Sequence, residues 1–233
     1  MNVAIIPARG GSKRIPRKNI KNFMGKPMMA YSVKAAIDSG CFDRIIVSTD
    51  DIEMAQVAKS LGAEVPFIRP GFLSNDQAAT VPVIKHALQY LIEQGESIEI
   101  ACCIYATAPF IRAKDLEKAF NKLKESDQDY CLSVTSYQYP IQRSLKLIAN
   151  GSIEMLYPEN YLVRSQDLEE AYHDAGQFYF GRCDAWLQEK AILANGSIPF
   201  VLPRKRVQDI DTPEDWDQAE MMFEVIHAAN GHE

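Results

Sequence analysis

The sequence contains no apolar run near the roughly 20 residues that a membrane-spanning helix requires. Its amino-terminal residues pass from an apolar stretch into a basic loop, which is not the order of a signal peptide. The five cysteines are odd in number and scattered, and no cysteine or histidine spacing typical of a metal site occurs. We therefore expect a cytoplasmic protein with reduced, buried thiols and no membrane partner.

Acidic residues are missing from the first 26 positions, which hold seven basic side chains. The chain has a net charge of −6, so the 18 basic residues outside this segment face all 31 acidic ones. A basic segment on an acidic chain is typical of a local site for a small polyanion, because a nucleic-acid-binding protein spreads positive charge over a face. We expect no nucleic acid partner.

The length of 233 residues and the 47% hydrophobic content suit one α/β domain, residues 1–233, with a buried core. Apolar periodicity predicts strands at 3–7, 44–48, 64–68, 98–105, 130–136 and 198–202. It predicts helices at 28–39, from the Asp50-Asp51 cap to 61, at 80–93, at 112–125 and from Thr212 onward. Because parallel strands need crossover connections, this alternation predicts a mainly parallel sheet flanked by helices.

The pattern changes over residues 137–180, which we interpret as a small excursion from the sheet. Two short apolar stretches, 144–148 and 153–156, flank Asn150-Gly151. Asn-Gly is the typical signal of a two-residue hairpin turn, because both central positions need positive φ. We expect the excursion to cover the acceptor side of the site and its apolar surface to pair with a second copy, giving a homodimer.

The basic loop between Pro7 and Asn19 predicts a triphosphate site. Gly10 and Gly11 permit close approach of phosphate oxygens, and Arg9, Lys13 and Lys18 supply positive charge. The glycine spacing matches neither the P-loop nor the dinucleotide-binding motif. The alternative is a flexible, solvated loop. The two prolines, at positions 7 and 16, favour a held shape, since proline fixes φ.

Asp209 and Asp211 are separated by one residue, so in an extended segment both carboxylates point to the same side. Such a pair suits Mg²⁺, which takes oxygen ligands together with substrate phosphates. The alternative is that these are loop acids before a helix, with Asp211 or Thr212 as its cap. The residues alone leave both interpretations open.

The loop residues 7–13 and 16–19 resemble the signature loop of the cytidylyltransferases that activate nonulosonic acids, the sialic-acid-like nine-carbon sugars. The resemblance extends over nearly the whole chain. Residues 69–76 are similar to the second nucleotide segment of that family, and residues 207–212 to its acidic metal segment.

This resemblance implies a Rossmann-like nucleotidyltransferase fold and an enzyme that joins CTP to a nonulosonic acid, releasing pyrophosphate, with Mg²⁺ as cofactor. It implies catalytic roles for Arg9, Lys18 and Asp211, and metal binding by Asp209 and Asp211. The nucleotide-binding residues that it implies are Ala8, Arg9, Gly10, Gly11, Ser12, Lys18, Asn19, Arg69 and Asp76.

On the sugar side, residues 164–168 and 172–179 are similar to the branch of the family that uses pseudaminic acid. The resemblance implies a sugar pocket of Tyr105, Thr107, Arg164, His173, Gln177 and Tyr179. Arg164 would pair with the sugar carboxylate. His173 is the most tempting general base, but a base elsewhere, or none, stays open.

Sialic acid members carry a glutamine where this chain has Tyr105, which argues against neuraminic acid as the substrate. Other sugar acids, namely N-acetylneuraminic, legionaminic and Kdo, remain alternative substrates. A metal-dependent glycosyltransferase and a nucleotide-binding regulator without turnover are the alternative functions.

Overall fold

The computed structural model describes residues 1–75 and 77–230. Its strands are β1 (Asn2–Pro7), β2 (Asn22–Phe23), β3 (Lys26–Pro27), β4 (Arg44–Ser48), β5 (Ile100–Ile104), β6 (Tyr130–Ser136), β7 (Leu145–Leu147), β8 (Ile153–Met155), β9 (Tyr172–Arg182) and β10 (Ser197–Val201). Its α-helices are α1 (Met29–Ser39), α2 (Ile52–Ser60), α3 (Thr80–Glu93), α4 (Ala113–Lys124), α5 (Cys183–Leu187) and α6 (Pro213–Asn230).

A six-stranded sheet in the order β10-β6-β9-β5-β1-β4 forms the centre of the described chain. Strand β1 pairs in parallel with both β4 and β5, and β6 pairs in parallel with β10. Strand β9 lies between β5 and β6 and is antiparallel to both. The mainly parallel sheet flanked by helices is therefore confirmed, and one antiparallel strand joins its two parallel parts.

Three assignments made from the sequence are wrong. The excursion predicted at 137–180 ends earlier, because residues 172–182 form β9 inside the sheet. Residues 64–68 make no strand and only Glu64 bridges to Ile46, since Pro66 has no N–H to donate to a ladder. The hairpin of β7 and β8 exists, but its loop has three residues, 149–151, instead of two.

The hairpin is closed by a backbone turn that is one residue longer than the predicted one. The Gly151 N–H donates to the Ile148 carbonyl at 2.9 Å, and the Ile148 N–H donates to the Ser152 carbonyl at 3.0 Å. Gly151 alone in this loop is left-handed, with a φ of 82°, which is typical of a three-residue hairpin loop. Asn150 Oδ1 adds hydrogen bonds from the Ser152 N–H and hydroxyl, at 3.0 and 2.7 Å.

The core has one layer on each face of the sheet. In β1, Val3 and Ile5 pack into the layer under α3, whereas Ala4 and Ile6 pack into the layer under α1, α2 and α4. All four side chains are fully buried, which explains why the strand is a continuous apolar run without alternation. The five cysteines are buried and free, as the sequence predicts. No helix within the described ranges is long and apolar enough to cross a membrane.

A third apolar cluster lies outside the sheet and packs the amino-terminal loop against α6. Its buried members are Ile15, Phe23, Met28, Phe110, Ile210, Trp216 and Ala219. Ile15 belongs to the basic loop, and Ile210 lies between Asp209 and Asp211. The two segments with candidate functional residues therefore rest on the same apolar surface.

Gly181→Ala tests the packing of β9 against the aromatic residues beneath it. A Cβ at Gly181 would lie 2.6 Å from the Tyr130 ring and closer still to Trp186, so we expect a loss of about 1–3 kcal/mol in the free energy of unfolding. Urea denaturation measures the loss. Gly71→Ala is the control, because a Cβ there meets nothing within 4 Å. Equal stability of the two variants would contradict the tight packing at Gly181.

Candidate functional site

A cavity of about 490 Å³ opens where β1 and β5 end. Parallel sheets bind ligands at the carboxyl ends of their strands. Nine residues predicted from the sequence line this cavity, namely Arg9, Ser12, Lys13, Lys18, Asn19, Arg69, Tyr105, Thr107 and Asp211. The structure therefore brings together residues that are up to 202 positions apart, since Arg9 and Asp211 share the cavity.

The basic loop is held by hydrogen bonds from several elements. The Ala8 N–H donates to the Ser48 carbonyl at 2.9 Å, and the Asn19 side chain donates to the Arg9 carbonyl at 3.0 Å. The Gly10 N–H donates to Asp50 Oδ1 at 2.9 Å. These anchors exclude the alternative of a flexible, solvated loop.

The same hydrogen bonds change the roles expected of the loop backbone. The N–H groups of Ala8 and Gly10 are both used within the protein, so neither is available to a phosphate in this structure. A Cβ at Gly10 would lie 3.0 Å from Asp51 Oδ2, so the glycine there serves the packing of the loop against Asp51. Gly11 is exposed and does not line the cavity.

Arg17 ties the loop to the start of α2. Its guanidinium donates to both carboxylate oxygens of Asp51, at 2.5 and 3.0 Å, and also pairs with Glu53. Asp51 is at the same time the N-cap of α2 and accepts from the Met54 N–H at 2.9 Å. The Arg17 hydrogen bond, with the Met54 N–H, holds the pKa of Asp51 below its ordinary value. The sequence indicated the helix cap but not this ion pair.

Arg69 is a buried cation beside a second cation. Its side chain is 3% exposed, its Nε donates to the Ser74 hydroxyl at 3.1 Å, and among the described residues the Asp50 carboxylate lies 3.9 Å away. Burial lowers the pKa of Arg69, and nearby Arg9 lowers it further. Because a buried positive charge beside another cation is costly, this arrangement favours an anionic ligand. Asp76, predicted beside Arg69, lies outside the described residues.

Asp211 joins the acidic segment to the basic loop. Lys18 Nζ donates to the Ile210 carbonyl at 2.5 Å and lies 3.3 Å from Asp211 Oδ1. Arg14 pairs with the other carboxylate oxygen of Asp211 at 2.8 Å. Asp209 does not line the cavity, but burial, and then the charge of Asp211, raises its pKa.

The cap of α6 is built by Thr212. The Asp215 N–H donates to the Thr212 hydroxyl at 3.2 Å, and Asp215 Oδ2 accepts from the N–H groups of Asp211 and Thr212. This is a capping box of Thr212 and Asp215. Of the two caps that the sequence offers, Thr212 is therefore the one that forms, and the carboxylate of Asp211 takes no part in it.

The acidic pair fits a divalent cation only together with other ligands. No group of three or more His, Cys, Asp or Glu side chains suited to a metal is found in the described part of the chain. Mg²⁺ is commonly held by one or two carboxylates, substrate phosphates and water. Desolvation and the neighbouring charge of Asp211 raise the pKa of Asp209, and a cation between the two carboxylates would relieve their repulsion.

Tyr105 lines the cavity, and Tyr179 packs behind it. Tyr105 Oη lies 3.1 Å from Thr80 Oγ1, and the Tyr105 ring meets Tyr179 edge-on at 5.5 Å. The Tyr179 phenol donates to Asp174. Burial raises the pKa of Tyr105 to about 12 and raises that of Tyr179 too, so both phenols stay protonated. Tyr179 and Asp174 line a neighbouring cavity of about 240 Å³, which shares Thr80 and Tyr105 with the first.

Four of the predicted sugar residues do not line the cavity, and one of these, Tyr179, lines the neighbouring one. Arg164 is exposed and lies on the excursion. The His173 ring is 4.8 Å from that of Tyr137, and its Nδ1 lies 2.8 Å from the Asp174 carbonyl oxygen. Gln177 is buried, at 3% exposure. The structure thus supports Tyr105 and Thr107 as wall residues and gives His173 no contact with the cavity.

Strand β9 reaches the site through a bulge. Tyr179 pairs with Leu132, whereas Asp174 pairs with Val134, so β9 has three extra residues between these pairs. The Ser133 hydroxyl accepts from the N–H groups of Gln177 and Phe178, which the ladder leaves unpaired. The bulge turns Asp174 back toward Tyr179, five residues later.

Comparison with known proteins agrees with this geometry. A family model described as Cytidylyltransferase matches residues 3–221. A pseudaminic acid cytidylyltransferase of Campylobacter jejuni subsp. jejuni serotype O:23/36 is 46% identical over 226 residues, 97% of each chain. A CMP-N,N'-diacetyllegionaminic acid synthase of Legionella pneumophila is 28% identical over 234 residues, 97% of this chain and 98% of the relative.

Two solved structures show the same fold. A CMP:2-keto-3-deoxy-manno-octonic acid synthetase complexed with CTP has a TM-score of 0.68 at 16% identity, over 95% of this chain and 98% of that one. A 4-diphosphocytidyl-2C-methyl-D-erythritol synthase from Anaerococcus prevotii has a TM-score of 0.62 at 12% identity, over 96% and 98%. The predicted Rossmann-like nucleotidyltransferase fold is confirmed.

Asp51→Asn tests the ion pair that holds the basic loop. Asn keeps the cap of α2, so the variant removes only the charge that Arg17 binds. We expect a loss of about 1 kcal/mol in unfolding free energy near neutral pH. Because Arg17 lowers the pKa of folded Asp51, its stabilisation is complete above the unfolded pKa. This stabilisation is lost as the pH falls through the pKa of Asp51 in the folded protein. The gap in unfolding free energy between the variant and the wild type should therefore shrink between about pH 5 and about pH 3.

Urea denaturation at several pH values measures this effect. Asp38→Asn is the matched control, because Asp38 pairs with Lys34 on the exposed face of α1 at 2.7 Å and such pairs contribute little. If the loss of unfolding free energy in Asp51→Asn stayed constant down to pH 3, the charge of Asp51 would not be the cause of that loss.

Proposed function

Since the chain belongs to the cytidylyltransferase family, we propose that it transfers the CMP group of CTP to a nonulosonic acid and releases pyrophosphate. The observation that carries this proposal is the cavity, where the basic loop and the buried Arg69 gather positive charge on an acidic chain. A triphosphate matches that charge, whereas a finished nucleotide sugar carries only one or two phosphates.

The chain's own residues account for binding and orientation. Arg9, Lys18 and Arg69 neutralise the triphosphate oxygens, and Asn19 and Ser12 contact the nucleotide. The anomeric oxygen of the sugar attacks the α-phosphorus, the bond from that phosphorus to the bridging oxygen breaks, and pyrophosphate leaves. The hydroxyl proton is lost from the sugar. Catalysis of this kind depends on positioning and on neutralising anionic oxygens.

Asp209 and Asp211 would hold Mg²⁺ together with the triphosphate. When bound, the ion neutralises charge on the phosphate oxygens and orients them. Lys18 positions this acidic pair, because it grips the Ile210 carbonyl between the two aspartates. In this structure Asp211 pairs with Arg14 and Lys18, and a cation held by Asp211 would compete with these pairs.

The sugar that we propose is pseudaminic acid. The relative from C. jejuni named for this sugar is 46% identical to this chain over 97% of its length, whereas the relative named for diacetyllegionaminic acid is 28% identical. The wall of Tyr105 and Thr80, with Tyr179 behind it, offers phenol and hydroxyl donors to an acceptor at that side of the cavity. Legionaminic, N-acetylneuraminic and Kdo acids are the alternatives.

We also propose that the excursion forms a homodimer. Its large apolar side chains are exposed, with Leu147 at 83%, Leu162 at 88% and Tyr161 at 68%. Large exposed apolar side chains that gather in one patch are typical of a protein interface. Arg164 lies on the same excursion, away from the cavity of its own chain. The free thiols suit the cytoplasmic location expected from the sequence.

Incubation with CTP, Mg²⁺ and a panel of sugar acids tests the function. We expect pyrophosphate release and a CMP-sugar with pseudaminic acid, and weaker turnover with legionaminic and N-acetylneuraminic acids. Pyrophosphate is measured by a coupled assay and the product by mass spectrometry. Reaction only from a preformed nucleotide sugar would indicate a glycosyltransferase, and CTP binding without pyrophosphate release would indicate a regulator.

Lys18→Ala tests the cationic loop. Removal of one preorganised donor should lower kcat/KM by about 10²- to 10³-fold, since Lys18 faces the cavity and is 16% exposed. Steady-state kinetics with CTP measures the loss. Lys26→Ala is the control, because Lys26 belongs to the same basic segment but does not line this cavity. Equal effects of the two changes would mean that only net charge matters.

A further inference from the structure

The buried side chain of Gln177 points away from the cavity and toward the acidic segment. It is 3% exposed, and its Nε2 donates to the Arg206 carbonyl at 2.6 Å. Arg206 ends a short 3-10 helix, Arg204–Arg206, and lies three residues before Asp209. Gln177 therefore holds the backbone at the start of the segment that carries Asp209 and Asp211.

Arg206, whose carbonyl binds Gln177, is also held by a buried ion pair of its side chain. Arg206 Nη1 pairs with Asp115 Oδ2 of α4 at 2.5 Å, and their side chains are 8% and 14% exposed. Charged groups are rarely buried unless they are paired and geometrically constrained. The pair thus anchors Arg206 to a helix whose apolar face packs into the sheet core.

The other end of the acidic segment, at Ile210 and Asp211, is also held by packing and hydrogen bonds. The Ile210 side chain is fully buried in the cluster with Phe110 and Trp216, and its carbonyl accepts from Lys18 Nζ. The Asp211 N–H donates to Asp215. Asp209 and Asp211 therefore lie on a short segment that is clamped at both ends.

The orientation of the Gln177 amide is determined by its surroundings. A reversed amide would place two acceptor oxygens, Oε1 and the Arg206 carbonyl, at the 2.6 Å that Nε2 now occupies. In the present orientation Oε1 is buried without a hydrogen-bond partner among the described residues. Such an orphan acceptor costs stability, so stability alone does not explain a glutamine here.

The backbone of Gln177 also reaches the cavity wall. Its carbonyl accepts from the Tyr105 N–H at 2.9 Å, and its N–H donates to the Ser133 hydroxyl at the bulge. The bulge thus fixes the backbone position from which the Gln177 side chain extends. The same residue links the wall that contains Tyr105 to the acidic segment.

We propose that Gln177, with the Arg206–Asp115 pair behind it, is a positioning residue that sets the acidic segment to receive a divalent cation. This inference rests on the metal role in the proposed function. It replaces the sugar contact that the sequence predicts for Gln177. Residues that orient metal ligands from behind commonly change metal affinity by about 10- to 100-fold when they are mutated.

Gln177→Leu tests the proposal, because leucine removes the donor and the orphan acceptor together at similar volume. Mn²⁺ is the probe, and protein-bound Mn²⁺ is measured by equilibrium dialysis with CTP on both sides of the membrane, before any sugar is added, because CTP alone also binds Mn²⁺. We expect the apparent Kd for Mn²⁺ to rise about 10- to 100-fold, with the KM for the sugar acid unchanged. A raised sugar KM with wild-type Mn²⁺ affinity would overturn the proposal.

Gln142→Leu is the matched control. Gln142 likewise donates from Nε2 to a backbone carbonyl, that of Glu169 at 3.0 Å, and its Oε1 is likewise buried without a hydrogen-bond partner among the described residues. It lies on the excursion, so its replacement should leave Mn²⁺ affinity unchanged. An equal loss of affinity in both variants would contradict a specific role for Gln177.

Asp115→Asn provides a second variant in case Gln177→Leu fails to fold, and thermal melting monitors both. It keeps a hydrogen-bond acceptor for Arg206 but removes the charge, and we expect weaker Mn²⁺ binding in the same direction. Unchanged Mn²⁺ affinity in folded Asp115→Asn would count against the clamp. A wild type that binds Mn²⁺ with CTP yet releases no pyrophosphate with any sugar would contradict the proposed function while leaving the clamp testable.

Discussion

The contact between Lys18 and the Ile210 carbonyl is the interaction on which the site depends. It joins the loop after the first strand to the segment before the last helix, 192 residues apart in sequence. The contact is partly buried and lies over the apolar cluster that holds both Ile15 and Ile210. Low exposure strengthens the charge-assisted hydrogen bond. Neither segment reaches this arrangement alone, so the cavity exists only in the completed fold.

The antiparallel strand β9 brings a further set of residues to the site. A wholly parallel sheet would present strand ends to the site only through loops. Because β9 runs in the opposite direction, it begins beside the site, and its bulge brings Asp174, Gln177 and Tyr179 to different surfaces of the same region. One strand therefore contacts the cavity wall and supports the acidic segment.

Local signals made the nucleotide half of the site predictable. Charge predicted Arg9 and Lys18 as a phosphate site, whereas the prediction for Asp211 needed the family resemblance as well as its spacing from Asp209. The Arg206–Asp115 pair has no such signal, because its members are 91 residues apart and each resembles a surface charge. Strand β9 was missed because glycine, histidine and aspartate interrupt its first half. The bulge accounts for that composition, and pairing across the sheet outweighs local propensity.

Positively charged side chains and neutral phenols come to the cavity from different strands. The loop after β1 and the segment after β4 supply the cations Arg9, Lys18 and Arg69. The end of β5 and strand β9 supply neutral phenols, since Tyr105 and Tyr179 stay protonated. A polyanion therefore belongs on the first side and a hydroxyl-rich acceptor on the second. Because the two sides come from different strands, the acceptor wall can change without disturbing the cations, and sugar specificity can vary on a constant nucleotide site.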